Sequence, residues 1–486
     1  MRLFYLFFLL ICSLSAYSIS NDTIPLSIRQ ADVANRLSMR YPFRSNNADE
    51  VREQPVYLNV TTTAAGQLAE KVGDDINNVD SLIVNGPIND TDFYTLWSGT
   101  FYGRLSVINL ENAEIINGVI PEWAFCRGKE QVIDGFIYTI GLRRIIFPEG
   151  LKVIGRCAFN FADNLEYINI PTSLQRIERS AFETCLRLKT NPLVFPEGFE
   201  KLEERAFMSC PGLKGSVVLP STIKEIGALA FYSSKITSIN FPEGLEEIGN
   251  KAFFDCRFKE VVISNPNIIW SGESQFGWNL KLEKISLPEE MTYIPPRFLE
   301  YCIELKDFSI PSDVKVIKSG AFNECYNLQK LELPAGLEEI EDQAFSECKA
   351  LEEIVFPASL KALGAESCTN WTNIKRIYSM AAEPPVCKVN MNSGATPFYP
   401  GTPNNIPVYV PTGTAEKYRN AKGWDYFTNF IETDDFPTST INDINIEQQE
   451  SKQGIYDLSG RKVTTTEKGK VYIINGKKVI TDNNSH

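Results

Sequence analysis

The sequence predicts a β-rich solenoid of the α/β type, in which coils of about 23 residues stack so that one short strand from each joins a parallel, concave sheet. Three observations carry this prediction. Prolines that close an apolar run recur at Pro148, Pro171, Pro196, Pro220, Pro242, Pro266, Pro288, Pro311, Pro334 and Pro357, nine steps over 209 residues. An alanine–phenylalanine pair recurs once per step and ends in Phe159, Phe182, Phe207, Phe231, Phe253, Phe322 and Phe345, with Phe276 and Phe298 as variants. Near-identical stretches at 147–150, 195–198 and 241–244 make chance similarity implausible.

The chain opens with Met1 and Arg2, about a dozen mostly apolar residues and the small-x-small triplet Ala16-Tyr17-Ser18, so residues 1–20 are expected to be a signal peptide and the protein to be exported. That run is too short to cross a bilayer, and no later stretch reaches the roughly 18 apolar residues a crossing needs. Lipid anchoring at Cys12 is disfavoured by Ile11, which stands where a small residue is wanted. Residues 21–55 read as an N-terminal linker and 56–126 as a capping region with the first strands, at 79–84 and 105–110. Between these strands, 90–97 is expected to be helical, and Thr63 is expected to cap a second helix over 64–72. Such a cap covers the edge of the first coil, which is otherwise an aggregation-prone strand.

Residues 127–380 form the array. Its unit reads L-x-x-I-x-apolar-P-x-G-L-x-x-I-G-x-x-A-F-x-x-C, clearest from Leu328 to Cys348. The L-x-x-I-x-apolar segment is a short strand with its apolar residues pointing inward. Proline ends it, because a residue without an N–H leaves the ladder, and the glycine of P-x-G permits the turn that follows. One aromatic per coil stacks along the core, and since no coil buries its own apolar face, stability comes from neighbouring coils. The unit is weakest at Ser264-Asn265-Pro266, at Phe298 without its preceding alanine, and at residues 365–368 without the phenylalanine.

Beyond the array, 381–435 read as a C-terminal cap: a strand at 408–411, then a helix over 414–421 stopped by Gly423 before Trp424. Residues 436–453 are a polar linker. Residues 454–486 give two hairpins, around Ser459-Gly460 and Asn475-Gly476, in a segment of about +3 charge against about −17 for the rest of the exported chain.

The repeat unit resembles the BspA-type leucine-rich repeat of bacterial surface proteins, many of them from Bacteroides and its relatives. The resemblance covers roughly residues 79–380, and strand, proline, I-G-x-x-A-F segment and cysteine recur in order. The region before the array resembles the segment that precedes such repeats in related proteins, and 381–435 resembles their closing cap. The hairpin tail is similar to part of a type IX sorting domain. The family implies attachment to host matrix and other cells.

Chemistry is bounded by composition. The single histidine is His486, so Ser/His and Cys/His pairs, His-ligated zinc and imidazole acid–base work are ruled out together. A formal charge of −13 opposes nucleic-acid binding. Cys185, Cys210, Cys256, Cys302, Cys325 and Cys348 share one repeat position, which allows a metal or redox ladder. Without a C-x-x-C pair they are better read as buried structural thiols, whereas Cys126, Cys157, Cys368 and Cys387 lie outside that ladder. Carboxylate pairs such as Glu246-Glu247 and Glu338-Glu339 recur at one position, as solvent-facing residues do, and are weak evidence for a glycosidase. Asp74-Asp75-Ile76-Asn77 lacks the glycine and distal glutamate of a calcium loop. No phosphate-cradling motif is present, and no enzyme activity or cofactor is expected.

The functional expectation is a secreted or cell-surface binding protein, adhesin-like, monomeric, recognising an extracellular protein or glycan through its concave sheet. The alternative is an extracellular glycan-binding or glycan-processing accessory protein. Inward positions stay apolar from coil to coil: Ile145, Ile168, Ile239, Ile285, Phe308, Leu331, Ile354 and Ile377. Their outward neighbours vary, and the candidate face is drawn from them: Tyr167, Asn169 and Asn240, then Lys284, Asp307, Lys330 and Glu332, then Glu353, Arg376 and Tyr378. Aromatic clustering there favours a glycan, and a mixed charged face favours a protein.

Overall fold

The structure is a computed structural model that describes residues 54–126 and 140–437, together with short strands between 132 and 137 and between 455 and 480. The signal peptide, Cys12, most of the N-terminal linker and nearly all of the polar linker lie outside the described residues. The array is a parallel β-solenoid. Each full coil contributes two strands and a turn, and each of the three runs its own ladder of hydrogen bonds to the next coil.

The first ladder is built from the expected strands, among them Arg144–Ile146, Lys284–Ser286, Lys330–Glu332 and Arg376–Ser379. Its pairings are all parallel and, apart from one shift of register at Gly215–Ser216, in phase, so Phe308 lies beside Leu331 and Ile354 beside Ile377, each buried. The single-residue alternation of a strand sends their neighbours outward. Of the predicted inward row only Ile239 is half-exposed, and it still packs against the core.

A second sheet, not foreseen from the repeat pattern, runs along the L-x-x-I-G segment. Strands such as Glu225–Ile226, Glu247–Ile248, Val316–Ile317 and Glu339–Ile340 pair in parallel, one coil to the next. The residue after each strand donates its N–H backwards: Gly249 to Ile226 at 2.8 Å, Ser271 to Ile248 at 3.0 Å, Lys318 to Ile294 at 3.0 Å. Pro295 occupies that row without an N–H, and this sheet parts there, between Ile269–Trp270 and Tyr293–Ile294. Gly249 is required by close approach, since a Cβ on it meets the Ala228 nitrogen at 2.4 Å.

The third side is the A-F turn. The residue before the alanine and the second residue after the phenylalanine both take positive φ, as in Lys251 (54°) and Asp255 (54°) around Ala252-Phe253. This disfavoured backbone costs about 1–2 kcal/mol per non-glycine residue, and the ladder offsets it. Lys251, Phe253 and Asp255 donate to Glu273, Gln275 and Gly277 of the next coil at 2.9, 3.0 and 3.0 Å, and the same three rungs recur from coil to coil as far as Asn370. Inside, Phe125, Phe159, Phe182, Phe207, Phe231, Phe253 and Phe276 stack ring on ring with centroids 5.0–5.9 Å apart.

Two degenerate coils correct the sequence register. Phe298 occupies the alanine site, because the Phe276 amide donates to its carbonyl, and Leu299 takes the phenylalanine site; the ring stack stops there and resumes at Phe322–Phe345. One array end later, Ser367 and Cys368 fill the alanine and phenylalanine sites, and Trp371 fills the cysteine site.

At the N-terminal end the first sheet begins one strand earlier than expected, with Tyr57–Thr61 paired to Ser81–Ile88. The helix foreseen at 90–97 spans Asp90–Phe101, with Asn89 and Asp92 forming a reciprocal cap, and its Phe93 packs edge-on to Phe125 at the end of the ring stack. The other helix is only Leu68–Val72. Thr63 does not cap it; the Gln67 side chain instead folds back to accept from the amides of Thr63 and Ala64. At the far end, strand Pro407–Val410, helix Ala415–Asn420 and a further strand Asn429–Glu432, not foreseen, close the first sheet. Buried Trp424 fills the end of the core against Tyr418 and Phe398, its indole N–H donating to the Pro385 carbonyl at 2.9 Å. In the tail, Val471–Ile474 and Lys477–Ile480 pair antiparallel about residues 475–476, and Ile455–Tyr456 pairs with Lys462–Val463.

Candidate binding face

The first sheet's outward rows are the candidate face, and the side chains there divide into engaged and available groups. Asn169 and Asn240 are engaged. The Asn169 amide accepts from the Phe147 N–H at 2.7 Å and donates to the Phe147 carbonyl at 3.0 Å. Asn240 grips Leu219 in the same way at 2.7 and 2.8 Å. Both extend the ladder past the strand end with a side-chain amide, so their place on a face for ligands is corrected to a backbone clamp.

The remaining eight candidates point outward. The Arg144 guanidinium lies 4.6 Å over the Tyr167 ring, and Lys284 pairs with Glu260 at 3.3 Å. Asp307 stands in register with Lys330, and Glu332 with Ser309. Arg376 is ion-paired to Glu353, which holds the guanidinium pKa above its ordinary value. Pairs as exposed as these contribute only about 0–1 kcal/mol each and leave the face adjustable. The sheet therefore brings together one mixed charged stretch, from Lys284 to Arg376, and leaves Tyr167 apart from it.

Tyr378 belongs to an aromatic group that the sequence did not assemble. It stacks on Tyr409 of the next strand, centroids 4.6 Å apart and planes 16° from parallel, and Phe436 meets it at 6.4 Å and 73°. Ile431 follows Tyr409 in register and is exposed. The strand at Tyr409 was legible, but its neighbour was not: the pairing Ile377 with Val408 spans 31 residues and breaks the repeat period.

The cysteine row resolves into a hydrogen-bond position. Cys185, Cys210, Cys256, Cys302 and Cys348 donate to the carbonyls of Phe159, Phe182, Phe231, Phe276 and Phe322 at 3.1–3.4 Å, and Cys325 to that of Leu299 at 3.2 Å. Where the coil lacks cysteine, Ser234, Asn279 and Trp371 donate to Phe207, Phe253 and Phe345 in its place. A hydroxyl, an amide and an indole share no redox or metal chemistry; what they share is a donor. Burial pushes the Cys325 thiol up to about 12 and those of Cys185, Cys256, Cys302 and Cys348 well above the usual range, so thiolate chemistry is suppressed. Among the described residues, no group of three His, Cys, Asp or Glu side chains is arranged to hold a metal ion.

The paired carboxylates lie on the second sheet and bridge coils. Glu246 meets Lys224 at 2.8 Å, Glu338 meets Lys361 at 2.5 Å, and Glu339 meets Lys388 at 2.6 Å. Their lysine partners explain the recurrence as coil-to-coil ion pairing. No helix among the described residues is long and apolar enough to cross a membrane.

The family model described as BspA type leucine rich repeat region matches in six copies over residues 133–259, 203–325 and 271–382. Similar solved structures include a leucine-rich repeat protein from Bacteroides ovatus ATCC 8483, with 21% identity over 60% of this chain and 77% of that one and a TM-score of 0.38. A leucine-rich cell surface protein from Faecalibacterium prausnitzii A2-165 shows 17% identity over 69% of this chain and 85% of that one, also at 0.38. No curated protein matches.

Proposed function

Because the matches span residues 133–382, just over half of its length, this chain belongs to the BspA-type leucine-rich repeat family, and we propose that it is an exported surface protein that recognises an extracellular macromolecule through the outward face of its first sheet. The observation that supports this reading is the split between rows: inward positions are fixed as apolar by packing, while Lys284, Asp307, Lys330, Glu332, Glu353 and Arg376 face solvent on adjacent coils with only exposed ion pairs to hold them. Repeating coils supply one or two such side chains each, which builds a broad recognition surface without a catalytic constellation. A protein ligand fits the alternation of charge, and an adhesin-like role is what the family resemblance implies for such a surface.

The glycan reading draws on Tyr378 and Tyr409. Their rings stack on each other, however, which covers one face of each and narrows the platform left for a sugar. The test is capture of host matrix proteins and glycan-array binding by two variants of the full chain. Replacing Lys330, Glu332, Glu353 and Tyr378 together by alanine should abolish capture with the melting temperature within a few degrees. Replacing Glu338 and Glu339 on the second sheet should leave capture intact. Equal behaviour of the two variants would sink the strand-face reading.

A further inference from the structure

We propose that the C-terminal end of this face, at Tyr378, Tyr409, Phe436 and Asp435, is a receiving corner for a cationic side chain, arginine or lysine, of a protein partner; this rests on the strand-face reading and names its strongest contact. Four observations converge. Phe436 and Tyr378 meet at 73°, so two rings form adjoining walls, and Tyr409 backs one of them. Asp435 is exposed, joins no ion pair among the described residues, and directly precedes Phe436, whose ring meets Tyr378. The neighbouring Arg376 is tied to Glu353 in the preceding strand, which leaves the Asp435 carboxylate as the uncompensated charge. Neither phenol hydroxyl has a hydrogen-bond partner among the described residues.

Packing does not demand these rings. The same outward row carries Ser286, Ser309 and Glu332 in earlier coils. Aromatic walls attract a cation through the negative faces of their π-systems, and a carboxylate beside them adds charge pairing. Tyrosine and arginine are also the side chains that most often carry binding energy at protein interfaces. The net charge of −13 makes a cationic partner group the complementary one.

The experiment titrates the full chain with a labelled hexapeptide containing one central arginine, its lysine counterpart and its citrulline counterpart, the last being neutral and of nearly the same shape. Arginine or lysine should bind at least tenfold tighter than citrulline, a difference of about 1.4 kcal/mol. Asp435→Asn should erase the preference, Tyr378→Ala should weaken binding overall, and Tyr378→Phe should keep the preference because the ring remains. Glu338→Gln, the same loss of charge on the second sheet, should change nothing. Binding of citrulline as tight as arginine, an equal effect of Glu338→Gln, or no binding of any peptide overturns the proposal. If a matrix protein is captured through Lys330 and Glu353 but is indifferent to Asp435→Asn, the corner fails while the strand-face reading stands.

Discussion

The strand side and the turn side of the same coils are held together differently. On the strand side the ladder is interrupted four times along the chain, after Tyr167–Ile168, Lys235–Ile239, Lys284–Ser286 and Lys330–Glu332. At the first interruption the Thr190 hydroxyl stands in for a ladder group, accepting from the Ile168 N–H at 3.2 Å and reaching its carbonyl at 3.1 Å. On the turn side, which has no strands, the three-rung ladder continues across every one of those coils, including the one where Pro295 parts the second sheet. Stability is therefore concentrated on the turn side. The strand side, with fewer obligations, is free to vary its outward side chains, which is the property a recognition surface needs.

That difference can be broken or sharpened by substitution. The largest effect is expected at the ring stack: Phe322→Ala, fully buried against Phe345, should cost about 3–5 kcal/mol in denaturant unfolding. A loss below about 1 kcal/mol would show that the turn side is not where the coils are held. Next comes the donor row. Cys325→Val strands the Leu299 carbonyl and should cost about 1–3 kcal/mol, whereas Cys325→Ser keeps a donor, as Ser234 does naturally, and should cost clearly less. If valine and serine prove equal, the thiol serves only as filler. The native cysteines should also resist alkylation at pH 8 until the chain is unfolded, since burial holds the Cys325 and Cys368 thiols protonated up to about 12; mass spectrometry of labelled protein checks this.

On the strand side the effects should shrink. Asn240→Ala removes the clamp on Leu219 and should cost about 1 kcal/mol, because water reaches the exposed side chain's site and takes over part of the lost bonding. Glu332→Ala, outward and without an ion pair among the described residues, should fall within about 0.5 kcal/mol of the parent in the same unfolding assay. A cost at Glu332 comparable to that at Cys325 would erase the distinction between the two sides.

The sequence by itself determined the period, the proline that ends each strand, the inward apolar row and the phenylalanine column. Each of these is a constraint within one coil, where strand alternation and missing N–H groups act over a few residues. The tertiary structure alone decided what lies between coils. The second sheet, the positive-φ turns that donate forward, the use of Asn169 and Asn240 as clamps, and the common role of Cys325, Ser234, Asn279 and Trp371 all depend on a partner some 20–28 residues away. The degenerate coils show the same limit: Phe298 and Cys368 look like a core ring and a stray thiol, and only the amides of Phe276 and Phe345, donating to Phe298 and Ser367 of the following coils, fix the sites they fill. Tyr378, Tyr409 and Phe436 meet because a 31-residue excursion returns a strand to the sheet. Where that excursion ends is set by burial of Trp424 and Tyr418 in the end of the core, a free energy that exists only once the coils have stacked.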